Sequence, residues 1–170
     1  MKLDVGKALK RPGQVFAFDA RMALPEMEVL SDTIRFDDIR VEGEYFCAGQ
    51  DRISLSAHVD AKLACHCSRC LEPIEAPARA DIDAVYAKHP DPEDPDLYGF
   101  EASEIELDDS VRDALLLELP MQTFCKPDCK GLCPVCGVNL NRETCTCQEG
   151  KVITGPFSAL QSIVLNNEEV

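Results

Sequence analysis

Cysteine is the residue type in this chain whose number and spacing point most directly to chemistry. Ten cysteines occur among 170 residues, and eight of them form four close pairs: Cys67 and Cys70, Cys125 and Cys129, Cys133 and Cys136, Cys145 and Cys147. Thiolates at such spacing converge on Zn²⁺, which takes four ligands in a tetrahedron. The segment Cys133-Pro134-Val135-Cys136-Gly137 is typical of a zinc knuckle, because glycine tolerates the positive φ that aims backbone N–H groups at sulfur. The sequence therefore predicts metal binding by these eight cysteines.

The division of the cysteines between sites is open at this point. Nearest-neighbour reasoning predicts a local site from the last two pairs and a long-range site that joins Cys67 and Cys70 to Cys125 and Cys129. The alternative is one ion held by the six C-terminal cysteines, with Cys67 and Cys70 free. One or two zinc ions are therefore expected, and they should be structural, because four thiolates leave no open coordination position.

Two further residues, Cys65 and His66, adjoin the predicted ligand Cys67 in sequence. His66 stands between Cys65 and Cys67 and is an alternative ligand. Cys47 and Cys65 fall outside the pairs, and Cys65 continues an apolar strand face, so we expect it to be buried as a small hydrophobic residue.

Four basic residues lie within or beside the cysteine segments: Arg69, Lys126, Lys130 and Arg142. They are candidates for a small patch that faces RNA or another partner. The alternative is that they neutralise the charge of the thiolates. Motifs for a phosphate loop, a zinc protease or a serine nucleophile are absent from the sequence. We therefore expect a non-enzymatic protein with no small-molecule substrate.

The charge of the chain limits how it can bind nucleic acid. Its 31 acidic and 17 basic residues give a net charge of −14, of which −11 lies in residues 71–110. A general electrostatic footprint for RNA needs clustered Lys and Arg. Contact with RNA is thus expected only through a local basic patch or a protein partner.

Hydropathy and the N-terminal residues predict a cytoplasmic protein without a membrane association. No run of about 18 apolar residues occurs, and residues 1–13 lack the apolar stretch of a signal peptide. In a reducing cytosol, clustered thiols indicate metal binding rather than disulfides.

The elements that must position the cysteines are a long hairpin and a helix. Apolar residues alternate from Ile53 to Cys65 and again from Ile74 to Ala84, which predicts two antiparallel strands with the first cysteine pair at their tip. Shorter strands are expected at residues 15–18 and 34–45. Residues 1–14 are expected to be an entry segment.

A helix is expected after Asp108 or Asp109, either of which could cap it, with Pro120 at its end. Its apolar positions are Val111, Ala114, Leu115 and Leu119. The predicted fold is α+β: an antiparallel β-domain (1–88), an acidic proline-rich loop (89–107), and a helix with a zinc-knuckle tail (108–170). Gly155 and Pro156 would open a last short helix.

Several segments resemble the YceD family of large ribosomal RNA subunit accumulation proteins. Residues 67–73 (CSRCLEP) resemble its CxRCLEP signature, and the resemblance continues through residues 115–121, 125–137, 139–141 and 145–147. Residues 155–160 resemble the family's final D-P-R-x-x-x-L helix, with Gly155 and Phe157 in place of Asp and Arg.

The resemblance implies a non-enzymatic factor for the accumulation of 23S rRNA and for large ribosomal subunit biogenesis. The implied partner is the precursor large subunit, either its 23S rRNA or a ribosomal protein. A hypothesis of another class is a redox-switched zinc chaperone, because neighbouring thiols oxidise readily to disulfides and would release the metal.

Overall fold

Three long antiparallel strands form the centre of the first part of the chain. The computed structural model describes residues 1–29, 32–90, 94 and 97–147. Two units divide the chain, the first from Met1 to Cys129 and the second from Lys130 onward. The elements in chain order are β1 (Lys2–Asp4), α1 (Gly6–Leu9), β2 (Phe16–Met22), β3 (Met27–Val29), β4 (Asp32–Gly49), β5 (Arg52–His66), β6 (Pro73–Ala87), β7 (Leu97–Gly99), β8 (Glu104–Glu106) and α2 (Asp108–Leu117).

The main sheet has the strand order β2-β4-β5-β6-β7, and β3 also pairs with β4. All its pairings are antiparallel except β6 with β7. The predicted hairpin is confirmed: β5 and β6 pair without a register shift from Arg52 opposite Ala87 to His66 opposite Pro73. Its tip is therefore the Cys67–Cys70 segment.

One face of the sheet carries the core of the first unit, because the period-2 alternation directs every second side chain of the long strands inward. Val41, Val59 and Tyr86 are among its fully or almost fully buried residues. Cys65 is buried in the same core, as expected. Gly43 permits the close approach of β4 and β5, since a Cβ there would lie 2.3 Å from the Ser56 carbonyl oxygen.

Helix α2 packs its buried Val111 and Leu115 onto the core. The predicted capping is wrong: Leu107 is the N-cap residue and makes no side-chain capping bond. Asp108 and Asp109 instead lie in the first turn, where the positive end of the helix dipole favours carboxylates.

Several short elements fall where the sequence predicted none. Strand β1 and helix α1 lie in the entry segment, for which no element was predicted, and strands β7 and β8 lie in the predicted acidic loop. Strand β1 pairs with β8, so that Leu3 lies opposite Ile105. Elements of three or four residues have too few positions to show a periodicity. Contacts with residues distant in the sequence determine them.

The second unit has no helix or strand among its described residues, which end at Cys147; an isolated bridge joins Leu132 to Asn139. The helix predicted at Gly155 and Pro156 lies outside the described residues. The fold is mainly β with few helices, which is broadly consistent with the α+β class. Within the described part of the chain, no helix is both long enough and apolar enough to cross a bilayer.

Candidate metal centres

Four cysteines of the first unit converge at the tip of the β5–β6 hairpin. We call Cys67, Cys70, Cys125 and Cys129 cluster 1; their sulfur atoms all lie within 4.8 Å of one another. The Cys67 and Cys129 sulfurs are 3.8 Å apart, and those of Cys70 and Cys125 are 3.6 Å apart. Cluster 1 thereby connects the hairpin to a segment 55 residues further along the chain.

Four cysteines of the second unit converge in the same way. Cys133, Cys136, Cys145 and Cys147 form cluster 2, again with all sulfur atoms within 4.8 Å. The Cys145 sulfur lies 3.3 Å from that of Cys133 and 3.8 Å from that of Cys136. Cys136 is exposed, and Cys145 and Cys147 are half-buried, so cluster 2 is the more accessible of the two.

The donor sets fit a tetrahedral metal ion. A Zn–S bond of about 2.3 Å in a regular tetrahedron places the sulfurs about 3.8 Å apart. The sulfur–sulfur separations of 3.3–3.8 Å lie at or just below that edge length. Sulfur-only sites of this geometry select zinc or iron. Each cluster would supply all four ligands itself, so an ion bound there would have a closed shell.

The same backbone turn occurs in the two pairs whose cysteines have two residues between them, Cys67 with Cys70 and Cys133 with Cys136. Leu71 N donates to the Cys67 carbonyl at 2.9 Å, and Gly137 N donates to the Cys133 carbonyl at 2.9 Å. Backbone N–H groups also point at sulfur: Cys125 N lies 3.4 Å from the Cys67 sulfur. These donors stabilise thiolate charge before any ion binds.

Within each cluster, the surroundings lower the pKa of one thiol and raise the pKa of another. Burial raises the pKa of Cys67, but backbone N–H donors, that of Cys125 first, outweigh it and lower the pKa to about 6. Backbone N–H donors likewise lower the pKa of Cys133 to about 6. Desolvation raises the pKa of Cys125 to about 12, and the Cys145 thiol raises that of Cys147 to about 12. Four sulfurs this close cannot all ionise without a cation between them.

Comparison with known proteins shows the family of the chain. Residues 55–164 match the family model described as large ribosomal RNA subunit accumulation protein YceD. The chain belongs to the YceD family. Both clusters lie inside the matched segment.

Curated relatives include bacterial and plant proteins. The uncharacterized protein YlbN of Bacillus subtilis is 30% identical over 131 residues, covering 75% of this chain and 76% of its own. An uncharacterized protein of Mycobacterium tuberculosis is 29% identical over 155 residues, covering 84% of this chain and 72% of its own. The maize chloroplastic large ribosomal RNA subunit accumulation protein YCED homolog 1 is 29% identical, covering 59% of this chain and 46% of its own. No solved structure matches.

Arg69 has a well-defined position beside cluster 1. Its Nη1 donates to the Cys129 carbonyl at 3.0 Å, and its guanidinium lies 4.4 Å from the centre of the Phe124 ring. Both contacts favour a role in holding the cysteine segment in place. Arg69 and Lys126 belong to the first unit and Lys130 and Arg142 to the second, so a single basic patch stays a prediction.

A polar clamp that the sequence did not reveal joins the segment after α2 to the hairpin. Thr123 N donates to Ser68 Oγ at 3.1 Å, and Ser68 N donates to the Thr123 carbonyl at 2.8 Å. The Thr123 hydroxyl donates to the His66 carbonyl at 3.2 Å. Cys125 lies two residues beyond Thr123, so these bonds align it with the hairpin tip. Ser and Thr at these positions carry no spacing signal, so only the structure identifies the clamp.

The structure also bears on the alternatives for the ligand set. Cys125 and Cys129 lie with Cys67 and Cys70, which favours two sites over a single site made of the six C-terminal cysteines. His66 lies in neither cluster; its Nδ1 lies 2.6 Å from an Asp32 carboxylate oxygen.

Proposed function

We propose that this protein is a non-enzymatic, zinc-binding factor that supports accumulation of 23S rRNA and biogenesis of the large ribosomal subunit. The observation that carries the proposal is the match of residues 55–164 to a family named for large ribosomal RNA subunit accumulation. The proposed site of action in this protein's own cell is the cytoplasm. The maize relative is named chloroplastic.

In this proposal the zinc is structural and sits at both clusters. An ion in cluster 1 would join the hairpin tip to the segment after α2, closing a loop of 55 residues. Closing so long a loop reduces the number of conformations open to the chain. Metal binding then contributes directly to the free energy of folding. The closed four-thiolate shell would leave no position for a substrate, which supports a role without catalysis.

The proposed partner is the precursor large subunit. The net charge of −14 opposes a general attraction to RNA. Contact with 23S rRNA would therefore depend on a few basic side chains. The candidates are Arg69, Lys126, Lys130 and Arg142. Contact with a ribosomal protein is the other route, and it does not need a basic surface.

The test is depletion of the protein in its own cell, followed by measurement of the 23S to 16S rRNA ratio and of sucrose-gradient profiles. We expect depletion to lower that ratio and to reduce the large-subunit peak, and a tagged copy to sediment with large-subunit precursors. Crosslinking across the gradient would then locate the contact. A normal ratio together with a protein confined to the top of the gradient would refute the proposal.

Expression of cysteine variants in depleted cells tests whether zinc binding is needed to restore the rRNA ratio. Cys70→Ser and Cys136→Ser each remove one proposed ligand, and we expect either to fail to restore the rRNA ratio. Cys47→Ala is the matched control, because Cys47 is buried in the core and belongs to neither cluster. Full rescue by both ligand variants would mean that metal binding is dispensable for the activity.

A redox-switched zinc chaperone remains the second candidate, and the accessibility of cluster 2 favours it. Cys136 is exposed, and the Cys133 and Cys145 sulfurs are only 3.3 Å apart. Oxidation of two thiolates to a disulfide by peroxide would give up two ligands and release the ion. Zinc release with a gain of dye-binding apolar surface under mild peroxide supports this candidate; retention of zinc argues against it.

A further inference from the structure

The second unit, over its described residues 130–147, has almost no apolar interior. Cys133 is the one hydrophobic side chain of that range that is buried, and Leu132, Val138 and Leu140 are half-buried. Ordering a chain segment costs conformational entropy, and burial of apolar surface is the main contribution that offsets this cost. This segment buries too little apolar surface to maintain its fold by packing.

The backbone hydrogen bonds of the second unit join residues that are close in sequence. Cys133 N donates to the Val138 carbonyl at 2.8 Å, and Leu140 N donates to the Gly131 carbonyl at 2.9 Å. A hairpin-like turn of this size is marginally stable at best in water. These bonds therefore define the shape of the segment, but they do not suffice to keep it folded.

Cluster 2 joins the two ends of the same segment. The Cys133 and Cys145 sulfurs are 12 residues apart in the chain and 3.3 Å apart in space. A chain too short for a hydrophobic core usually needs a metal, a disulfide or a partner in order to fold. At such a site the free energy of metal binding is also the free energy of folding. The order of the second unit therefore depends on an ion in cluster 2.

Cluster 1 differs because elements of the first unit bring its ligands together. Cys67 and Cys70 lie at the tip of the β5–β6 hairpin, whose strands contribute to the hydrophobic core. The bond from Thr123 N to Ser68 Oγ holds the second cysteine pair near the first. Three cysteines of cluster 1 are buried, and Cys125 is exposed. A preformed site loses less binding free energy to ordering than a site that folds with its ligand.

We propose that cluster 2 is a zinc-dependent order–disorder switch. The second unit is ordered while zinc occupies cluster 2 and loses its structure when the ion is withdrawn, whereas the first unit keeps its fold and the ion of cluster 1. Because part of the binding free energy at cluster 2 goes into ordering, its zinc affinity is lower than that of cluster 1. Cluster 2 therefore empties first as free zinc falls. The inference deepens the proposed function and rests on the zinc proposed there for both clusters.

The experiment withdraws zinc in steps from the zinc-loaded, full-length chain with a chelator. Native mass spectrometry counts the bound ions at each step, and hydrogen exchange measures the order of each unit. We expect one ion to leave at a free zinc concentration at least about tenfold higher than the other. Amide protection at residues 131–142 should disappear together with this first ion, while the protection of the β5–β6 hairpin stays unchanged.

Single-site variants assign the two ions. Cys136→Ser should bind one ion, which resists the chelator like the later ion of the wild type, and should leave residues 131–142 unprotected at any zinc concentration. This variant leaves the first unit unchanged, so it decides the assignment even where Cys70→Ser, which should keep the early ion, folds poorly. Val135→Ala is the matched control, because it truncates a side chain of the same turn that is 61% exposed and is not a ligand. It should release both ions like the wild type.

Simultaneous release of the two ions, earlier release from cluster 1, or retained protection of residues 131–142 without zinc would each overturn the inference. In all three cases two ions are bound at the start, so the zinc of the proposed function still stands. A wild-type chain that binds no zinc under reducing conditions overturns both. The 23S to 16S rRNA ratio after depletion tests the role in rRNA accumulation separately, because it does not depend on the order in which the ions leave.

Discussion

Leu71 occupies in cluster 1 the backbone position that Gly137 occupies in cluster 2. Each follows the second cysteine of its pair, has a left-handed conformation with φ of 58° and 74°, and donates its N–H to the carbonyl of the first cysteine at 2.9 Å. Glycine adopts this conformation without penalty, whereas leucine does so at the cost of steric strain. Cluster 1 therefore contains strain that cluster 2 avoids.

Leu71→Gly should relieve that strain. A left-handed conformation costs a side-chain-bearing residue about 1–2 kcal/mol. Because Leu71 is largely exposed, its truncation removes little buried surface. We expect the free energy of unfolding of the zinc-loaded protein to rise by about 1 kcal/mol, after the greater flexibility of glycine in the unfolded chain is counted. Urea unfolding measures the change, and a clear destabilisation would contradict it.

The reciprocal change, Gly137→Ala, should weaken cluster 2. No atom lies within 4 Å of an added Cβ, so the left-handed φ is the cause of the loss. Strain of about 1 kcal/mol corresponds to about fivefold weaker zinc binding. Competition with a chromophoric chelator measures the zinc affinity of cluster 2. Cluster 1 serves as the internal control, since its zinc should be released as in the wild type.

Removal of single ligands should remove single ions. Native mass spectrometry is expected to find two zinc ions on the wild type and on Cys47→Ala, and one on Cys70→Ser or Cys136→Ser. Cys70→Ser should also expose the segment around Thr123 to hydrogen exchange, because cluster 1 holds that segment to the hairpin. An unchanged count of ions in either ligand variant would show that the cluster concerned holds no metal.

Arg69→Lys separates a structural role of this arginine from a contact with RNA. Lysine keeps the charge but cannot combine the planar contact with Phe124 and the bond to the Cys129 carbonyl. We expect about 1 kcal/mol weaker zinc binding at cluster 1, with cluster 2 unaffected. Normal zinc binding together with loss of 23S rRNA accumulation would instead assign Arg69 to a partner contact.

Tyr86 should make the fold sensitive to alkali. Its ring is fully buried and its hydroxyl lies 2.6 Å from Ser110 Oγ. Burial raises its pKa from 10.0 to about 12, so the folded state favours the neutral phenol. The unfolded chain loses its proton first as pH rises, and stability present below pH 10 falls by about 2 to 3 kcal/mol as pH approaches 12.

Tyr86→Phe is the control for this pH dependence. It should cost about 1 kcal/mol at neutral pH through the lost hydrogen bond and should show a much smaller alkaline slope. Burial also raises the pKa of Tyr98, which leaves a residual slope. Identical slopes in the variant and the wild type would exclude Tyr86 as the cause.

The sequence by itself determined the long hairpin and the cysteine inventory. Alternation from Ile53 to Cys65 and from Ile74 to Ala84 excludes any register that would turn an apolar face outward, and the short segment between the two runs selects among the registers that are left. The first cysteine pair then has to lie at the tip. The turn around Gly137 is local as well, since it depends only on residues that adjoin in the chain.

Tertiary structure alone decided the rest. Strand β1 exists because Leu3 pairs with Ile105 a hundred residues away, and three residues carry no period from which to predict it. Cys70 and Cys125 lie together in the folded chain beside the clamp at Thr123, and no sequence spacing identifies the partners of that clamp.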